Sequence, residues 1–142
     1  MNGGDVGWSD YIDNGRSVRE IFGDEVPDLL ELDMLQLVLD AAGGVFVSLH
    51  VGTFPKIVPM RWLKKGFDSL QFRMTFVVTD MEIKKAGKIG KVSIVLDRSR
   101  LHIAAVDEAI SLRANFVYSR IDVYPYRLSE FKDMPAWFAR LY

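Results

Sequence analysis

Two histidines, His50 and His102, and a complete lack of cysteine limit the chemistry this chain can do. A thiolate nucleophile, a disulfide and a cysteine metal site are all excluded. Zinc needs closely spaced nitrogen, sulfur or carboxylate ligands. Each histidine instead stands alone in an alternating run, opposite its aliphatic neighbours, where a sheet-surface side chain belongs. A metal would require both rings to meet at a carboxylate such as Asp122. Ser48 and His50 share a strand face, but two-residue spacing is what any strand produces, and no Gly-x-Ser-x-Gly elbow accompanies them. No P-loop or dinucleotide fingerprint is present. Gly87-Lys88-Ile89-Gly90-Lys91 lacks the spacing and the following helix of a phosphate loop, and reads as a solvated turn. These residues predict no catalytic group, no metal and no cofactor.

Charge is more informative. Residues 1–40 hold ten acidic side chains against two basic ones, while the remainder holds sixteen basic against nine acidic. The two halves can pair with each other on folding, or the acidic half can face a basic partner. Asp24, Glu25, Asp28, Glu31 and Asp33 form the densest acidic stretch. Glycoside chemistry would need two acids facing each other across a cleft. A contiguous run reads instead as a solvated surface or as a docking patch for a cationic protein. Lys84, Lys85, Lys88, Lys91, Arg98 and Arg100 could line a sheet edge and attract nucleic acid. Nucleic acid would also need exposed aromatics beside them. Phe72, Phe76 and Phe116 fall on the apolar phase of their strands and read as core, so nucleic-acid binding is not expected.

The elements that must position these groups are mostly strands. Trp8, Tyr11 and Ile12 share a helical face, interrupted by Asn14-Gly15. Ser17 and Glu20 have the spacing of a capping box opening a second short helix. Val18, Ile21 and Phe22 are its apolar stripe, and Gly23 is its stop. After Val26-Pro27 an extended connector leads to a strand from about Asp33, with a one-residue phase slip between Met34 and Leu35 that a bulge or a late strand start explains. Helix is the competing reading for residues 28–40, because leucine and methionine are good helix formers. Gly43-Gly44 turns the chain into Val45, Val47, Leu49 and Val51. An irregular link follows, with Pro55, Pro59 and Trp62. Leu70, Phe72, Met74, Phe76 and Val78 then alternate strictly with polar neighbours. Lys84–Lys91 reads as a basic loop. Strand-like runs at 92–96, 101–106, 110–118 and 121–126 have short polar connections, hence antiparallel neighbours. The last two could be one bulged strand, because the phase changes at Ser119-Arg120. The tail from Ser129 is amphipathic and reads as helical after Pro135, with Trp137, Phe138 and Leu141 toward the core.

The expected fold is therefore α+β and mainly β: an antiparallel meander sheet with short N-terminal helices and a short C-terminal helix. The 142 residues fit one domain, 1–142, with 1–7 frayed. The start has neither the basic nor the apolar region of a signal peptide. The apolar runs are strand-sized and broken by charge, so no membrane span is expected. The cytoplasm is the expected compartment.

Trp8, then Ile21-Phe22-Gly23, then Pro27 and Leu30 leading into the first strand, resemble the opening of the immunity protein 50 family of bacterial polymorphic toxin systems. Pro59-x-x-Trp62 before an alternating strand, and Ile121-Asp122-Val123-Tyr124, are similar to that family's later segments. The likeness spans roughly residues 8–126. Many relatives carry a Phe-His-Asp-like stretch after the proline, where this chain reads Asp28-Leu29-Leu30-Glu31-Leu32-Asp33, so no role of that histidine transfers. The resemblance implies a cytoplasmic antitoxin that binds and neutralises a cognate toxin by steric occlusion, with no catalysis. On physical grounds Trp8, Phe22 and Trp62 read as core anchors. With the toxin that the resemblance implies, the acidic stretch Asp24, Glu25, Asp28, Glu31 and Asp33 is the expected contact surface if that toxin is cationic. The rival expectation is a small-molecule binder that uses the curved sheet as a cup. It would show a deep apolar pocket. An enzyme would need polar groups such as Ser48, His50 and Asp122 to converge in one cleft.

Overall fold

Six antiparallel strands close into a barrel in a computed structural model that describes residues 7–127. The strands are β1 (Leu32–Leu39), β2 (Gly44–Val51), β3 (Ser69–Lys85), β4 (Lys91–Asp97), β5 (Arg100–Ala105) and β6 (Ile110–Tyr126). Their order around the barrel is β1-β2-β3-β6-β5-β4. A 3-10 turn (Trp8–Tyr11), α1 (Arg16–Phe22) and α2 (Met60–Lys64) complete the described elements. The class is α+β and mainly β. The helix expected beyond Pro135 and the opening segment 1–6 lie outside the described residues.

Length sets the topology. β3 and β6 have 17 residues each, about twice the length of the other strands, and pair along their whole run from Ser69↔Tyr126 to Lys85↔Ile110. The first half of β3 also takes β2, through Gly44↔Val77 to Val51↔Leu70. The first half of β6 takes β5, through Arg100↔Asn115 to Ala104↔Ser111. β3 therefore leaves the simple meander by pairing with β6 rather than with β4. The register slips near Val77 and Val78. The phase change at Ser119 thus belongs to one bulged strand. The slip between Met34 and Gln36 in the β1–β2 ladder is the bulge expected there.

Alternation fills the barrel. Val45, Val47, Leu49 and Val51 of β2, Leu70, Phe72, Met74 and Phe76 of β3, and Leu101 and Ile103 of β5 are all at most 1% exposed. Phe76 meets Phe116 edge-on at 5.1 Å between centroids. The lysines expected in a loop after the third strand are partly strand. Lys84 and Lys85 pair with Ser111 and Ile110, because β6 offers a ladder that far.

The acidic connector closes the barrel. Leu29 is buried, and its carbonyl accepts the Ile94 N–H at 2.8 Å. The Glu31 N–H donates to Ser93 Oγ at 3.0 Å, and Leu32↔Val92 and Asp33↔Lys91 are the seam's two strand pairs. Glu31 adopts φ 53°, a left-handed conformation that lets the chain turn into β1.

An N-terminal plug of the 3-10 turn and α1 lies against Phe72. Its ring centroid is 5.7 Å from that of Trp8 and 6.0 Å from that of Phe22. Trp8 Nε1 donates to the Pro27 carbonyl at 2.8 Å. Trp8 thus joins the Phe72 ring, on which Phe22 also packs, to the Pro27 carbonyl. Between the two helical turns, the side chains of Asp13 and Asn14 bond the outer edge of β6. The Ser119 N–H donates to Asp13 Oδ2 and the Ile121 N–H to Asn14 Oδ1, each at 2.8 Å. Asn14 Nδ2 donates back to the Ile121 carbonyl at 2.8 Å. These bonds satisfy backbone groups that an open edge would leave bare. They also relocate the expected helix cap. With Asn14 committed to β6, α1 starts from Gly15, Ser17 Oγ donates to the Asn14 carbonyl, and Glu20 pairs with Arg16 at 3.0 Å. Gly23 stops the helix at φ 63°, as expected.

Candidate functional site

The acidic side chains line the outside of the closing seam. Asp24, Glu25, Asp28, Glu31 and Asp33 are all exposed, while Leu29 between them points inward. Three of the five are engaged. Asp28 Oδ1 accepts the Leu30 N–H at 3.2 Å. Glu25 meets Lys56 at 3.2 Å and Asp33 meets Lys91 at 3.8 Å. Both ion pairs join the acidic half to the basic half, so the two halves do pair on folding. Both are solvent-exposed and contribute about 1 kcal/mol at most. The strip can therefore be altered without unfolding the barrel.

The Glu25–Lys56 contact leads to a feature the sequence did not announce. Residues 52–67 carry Lys56, Arg61, Lys64 and Lys65 and no acidic side chain. Within them, Ile57 is 87%, Met60 65% and Leu63 57% exposed. Met60 and Leu63 stand three apart on α2, which puts them on one side of the helix. Trp62 faces the other way, buried against Phe54 at 6.2 Å between centroids. The link is thus a five-residue helix pinned by one tryptophan, presenting an apolar face ringed by charge. Its i, i+3 spacing was the available signal. Five residues are too few for a period to stand out, and hydrophobicity alone does not say that Trp62 turns in while Met60 and Leu63 turn out.

Both histidines point outward from the barrel, His50 on β2 and His102 on β5. His50 Nδ1 and the Tyr126 hydroxyl are 2.6 Å apart. Burial, then the charges of Asp68 and Asp33, push the Tyr126 phenol up to about 12. The phenol keeps its proton at any ordinary pH and can donate to Nδ1 or accept from it, according to the imidazole tautomer. Ser48 Oγ donates to Gln71 Oε1 at 3.0 Å, and Asp122 is held by Arg120 at 3.1 Å. Ser48, His50 and Asp122 each have a different partner and form no nucleophile–base couple in this arrangement.

Around His102, on the outside of the barrel, β3, β6, β5 and β4 enclose an open groove of about 620 Å³. Cross-strand register builds it in two rows, Asp80–Asn115–Arg100–Asp97 and Glu82–Arg113–His102–Val95. Asn115 Nδ2 bonds both carboxylate oxygens of Asp80, at 3.0 and 3.1 Å. His102 is half-buried, but its Nε2 is sealed without a partner. Burial, and then the Arg113 charge, lower its pKa below the usual 6.5. Glu82 of β3, Arg113 of β6, Val95 of β4 and Arg100 of its own strand surround it. The unfolded chain then binds a proton at a pH where the folded one does not, so stability rises with pH through that window. The contribution is complete above pH 6.5 and is lost as pH falls through the folded pKa. His102→Gln is expected to flatten the loss of denaturation midpoint between neutral and mildly acid pH. An unchanged slope would assign that loss to other groups.

Lys84, Lys85, Lys91, Arg98 and Arg100 are spread over several elements, while Arg73 lies over the exposed Tyr124 ring at 3.8 Å. Lys84 and Lys85 end β3, Lys91 pairs with Asp33, Arg98 sits in the β4–β5 turn at φ 56°, and Arg100 lines the groove. Phe72, Phe76 and Phe116 are buried. Among the described residues no group of three or more His, Asp or Glu is placed to hold a metal ion, and no helix is long and apolar enough to cross a membrane. No family model, no curated protein and no solved structure matches the chain.

Proposed function

We propose that this protein is a cytoplasmic immunity protein of a bacterial polymorphic toxin system, which neutralises its cognate toxin by covering the toxin's active cleft. One observation carries the reading. The exposed apolar trio Ile57, Met60 and Leu63 adjoins the acidic connector through the Glu25–Lys56 pair, with Arg61, Lys64 and Lys65 alongside. An apolar centre inside a charged rim is the anatomy of a protein-binding surface. The strip Asp24, Glu25, Asp28, Glu31 and Asp33 would meet a cationic toxin and speed its association.

Co-expression with a toxin domain encoded beside this gene should rescue growth. Reversing Asp24, Glu25, Asp28 and Glu31 to lysine should lower the association rate in a salt-dependent way. Met60→Asp with Leu63→Asp should remove about 2 kcal/mol or more of binding, mainly through faster dissociation. Rescue that survives both sets of changes would sink this assignment of the interface, and no rescue by the wild-type chain would sink the function.

A second reading has its own observation. Among the described residues the side chains of β2, β3 and β5 fill the barrel interior, and the outer groove could hold a small polar ligand between Arg100, Arg113 and Asp80. Stabilisation of the wild type by such a ligand, lost in Arg113→Ala, would favour it over the toxin reading.

A further inference from the structure

The second half of β3 is a strand edge with no neighbour among the described residues. The ladder with β2 ends at Gly44↔Val77, and the Gly43 carbonyl takes the Val78 N–H at 2.8 Å. Beyond that, residues 79–85 pair on one side only, with β6. The direction of the free groups follows from the ladder. The Ala86 N–H bonds the Ala109 carbonyl at 2.8 Å, so Ala86 faces β6. Backbone groups alternate along a strand, so Lys84, Glu82 and Asp80 also face β6. The β5 side agrees, because the Phe116 N–H bonds the Ser99 carbonyl at 2.8 Å, leaving Asn115, Arg113 and Ser111 to face β3. Met81, Ile83 and Lys85 therefore aim their N–H and C=O groups at the open edge.

We propose that this edge pairs with the same edge of a second copy, forming a two-fold antiparallel dimer with Ile83 opposite its own symmetry mate. Charged residues on an edge ordinarily guard it against pairing. Here they select a register instead. With Ile83 on the two-fold, Glu82 of each copy lies opposite Lys84 of the other, and Met81 lies opposite Lys85. Every outward N–H and C=O of the three residues finds a partner. A register centred on Glu82 would set that carboxylate against itself, and one centred on Met81 would set Asp80 against Glu82. Opposite charges across a strand pair stabilise it, and like charges oppose it. Isologous pairing of one patch with itself is the commonest way chains dimerise. The dimer would extend the sheet that carries the outer groove, and it leaves the connector and α2 free for a different partner.

The test uses the full-length chain alone. Sedimentation equilibrium over rising concentration should show 16.2 kDa monomers converting to dimers. Glu82→Lys and Lys84→Glu should each weaken dimerisation by about tenfold, because each sets like charges opposite one another twice. The two changes together should restore it. As a check independent of any variant, amide exchange of Met81, Ile83 and Lys85 should slow about tenfold or more with concentration, while Asp80, Glu82 and Lys84, already bonded to β6, stay unchanged. A chain that stays monomeric at all concentrations overturns the proposal. So does a dimer indifferent to both charge changes, or a double variant no better than the singles.

Discussion

Phe72→Ala is expected to cost about 3–5 kcal/mol of stability. Phe72 is fully buried on β3, with Leu49 and Val123 opposite it on the neighbouring strands. The rings of Trp8 and Phe22 also rest on it, so one side chain joins the barrel wall to the N-terminal plug. Removing the ring leaves a cavity bordered by two rigid elements, a β-ladder and a helical cap, and neither can move in to fill it. The cost of a cavity grows with the volume left unfilled. Domains of this kind are held by about 5–15 kcal/mol in all, so urea unfolding should begin close to zero denaturant. Phe72→Leu keeps most of the apolar volume and should cost about 1 kcal/mol or a little more. A loss under about 1 kcal/mol for the alanine change would mean that the plug is not seated on the barrel.

Where the sequence was readable, a local period carried the information. Leu70 to Phe76 and Val45 to Val51 alternate so strictly that their apolar face is buried as expected, while Ser48 and Gln71 on the opposite face are buried too, bonded to each other at 3.0 Å. The slips at Met34 and at Ser119 announced bulges, because a one-residue shift turns every later side chain to the other face. What escaped depends on partners distant in sequence. The seam Leu32↔Val92 and the edge clasp of Asn14 on Ile121 join residues far apart in the chain. Ser17 had the right type and spacing for a cap, and it lost that role because Asn14 is held by a strand more than a hundred residues away. The site divides the same way. The acidic strip was legible as composition, and the structure adds that its backbone closes the barrel. The apolar trio on α2 was not legible, because inside and outside are decided by which side of a single turn Trp62 occupies.

Gly15→Ala is expected to cost about 2–3 kcal/mol, for a reason unrelated to positive φ. Gly15 has helical dihedrals, φ −59° and ψ −21°, which alanine adopts freely. The obstacle is space, because a Cβ there would overlap the Ser9 carbonyl oxygen and crowd the Ile12 carbonyl at 3.1 Å. Both obstacles are backbone and cannot swing aside as a side chain would. Ser9 is itself pinned, since it is buried and its Oγ accepts from Arg19, whose guanidinium also holds Asp10 at 3.1 Å. Relief therefore has to come from the 3-10 turn separating from α1. That separation strains Asp13 and Asn14, which lie between them, and so weakens the clasp on β6. Amide exchange should report this locally, with Ser119 and Ile121 speeding up while Met74 and Leu112 in the barrel wall keep their protection. The connector hangs from α1, so a shifted plug also shifts Asp24 and Glu25 relative to Lys56. A partner that reads the acidic strip and the α2 face together would then associate more slowly with a barrel that is still folded. Uniform acceleration of exchange across the wall would instead mean that plug and barrel unfold as one unit. Exchange at Ser119 and Ile121 no faster than in the wild type would mean that Ser9 yields without loosening the clasp.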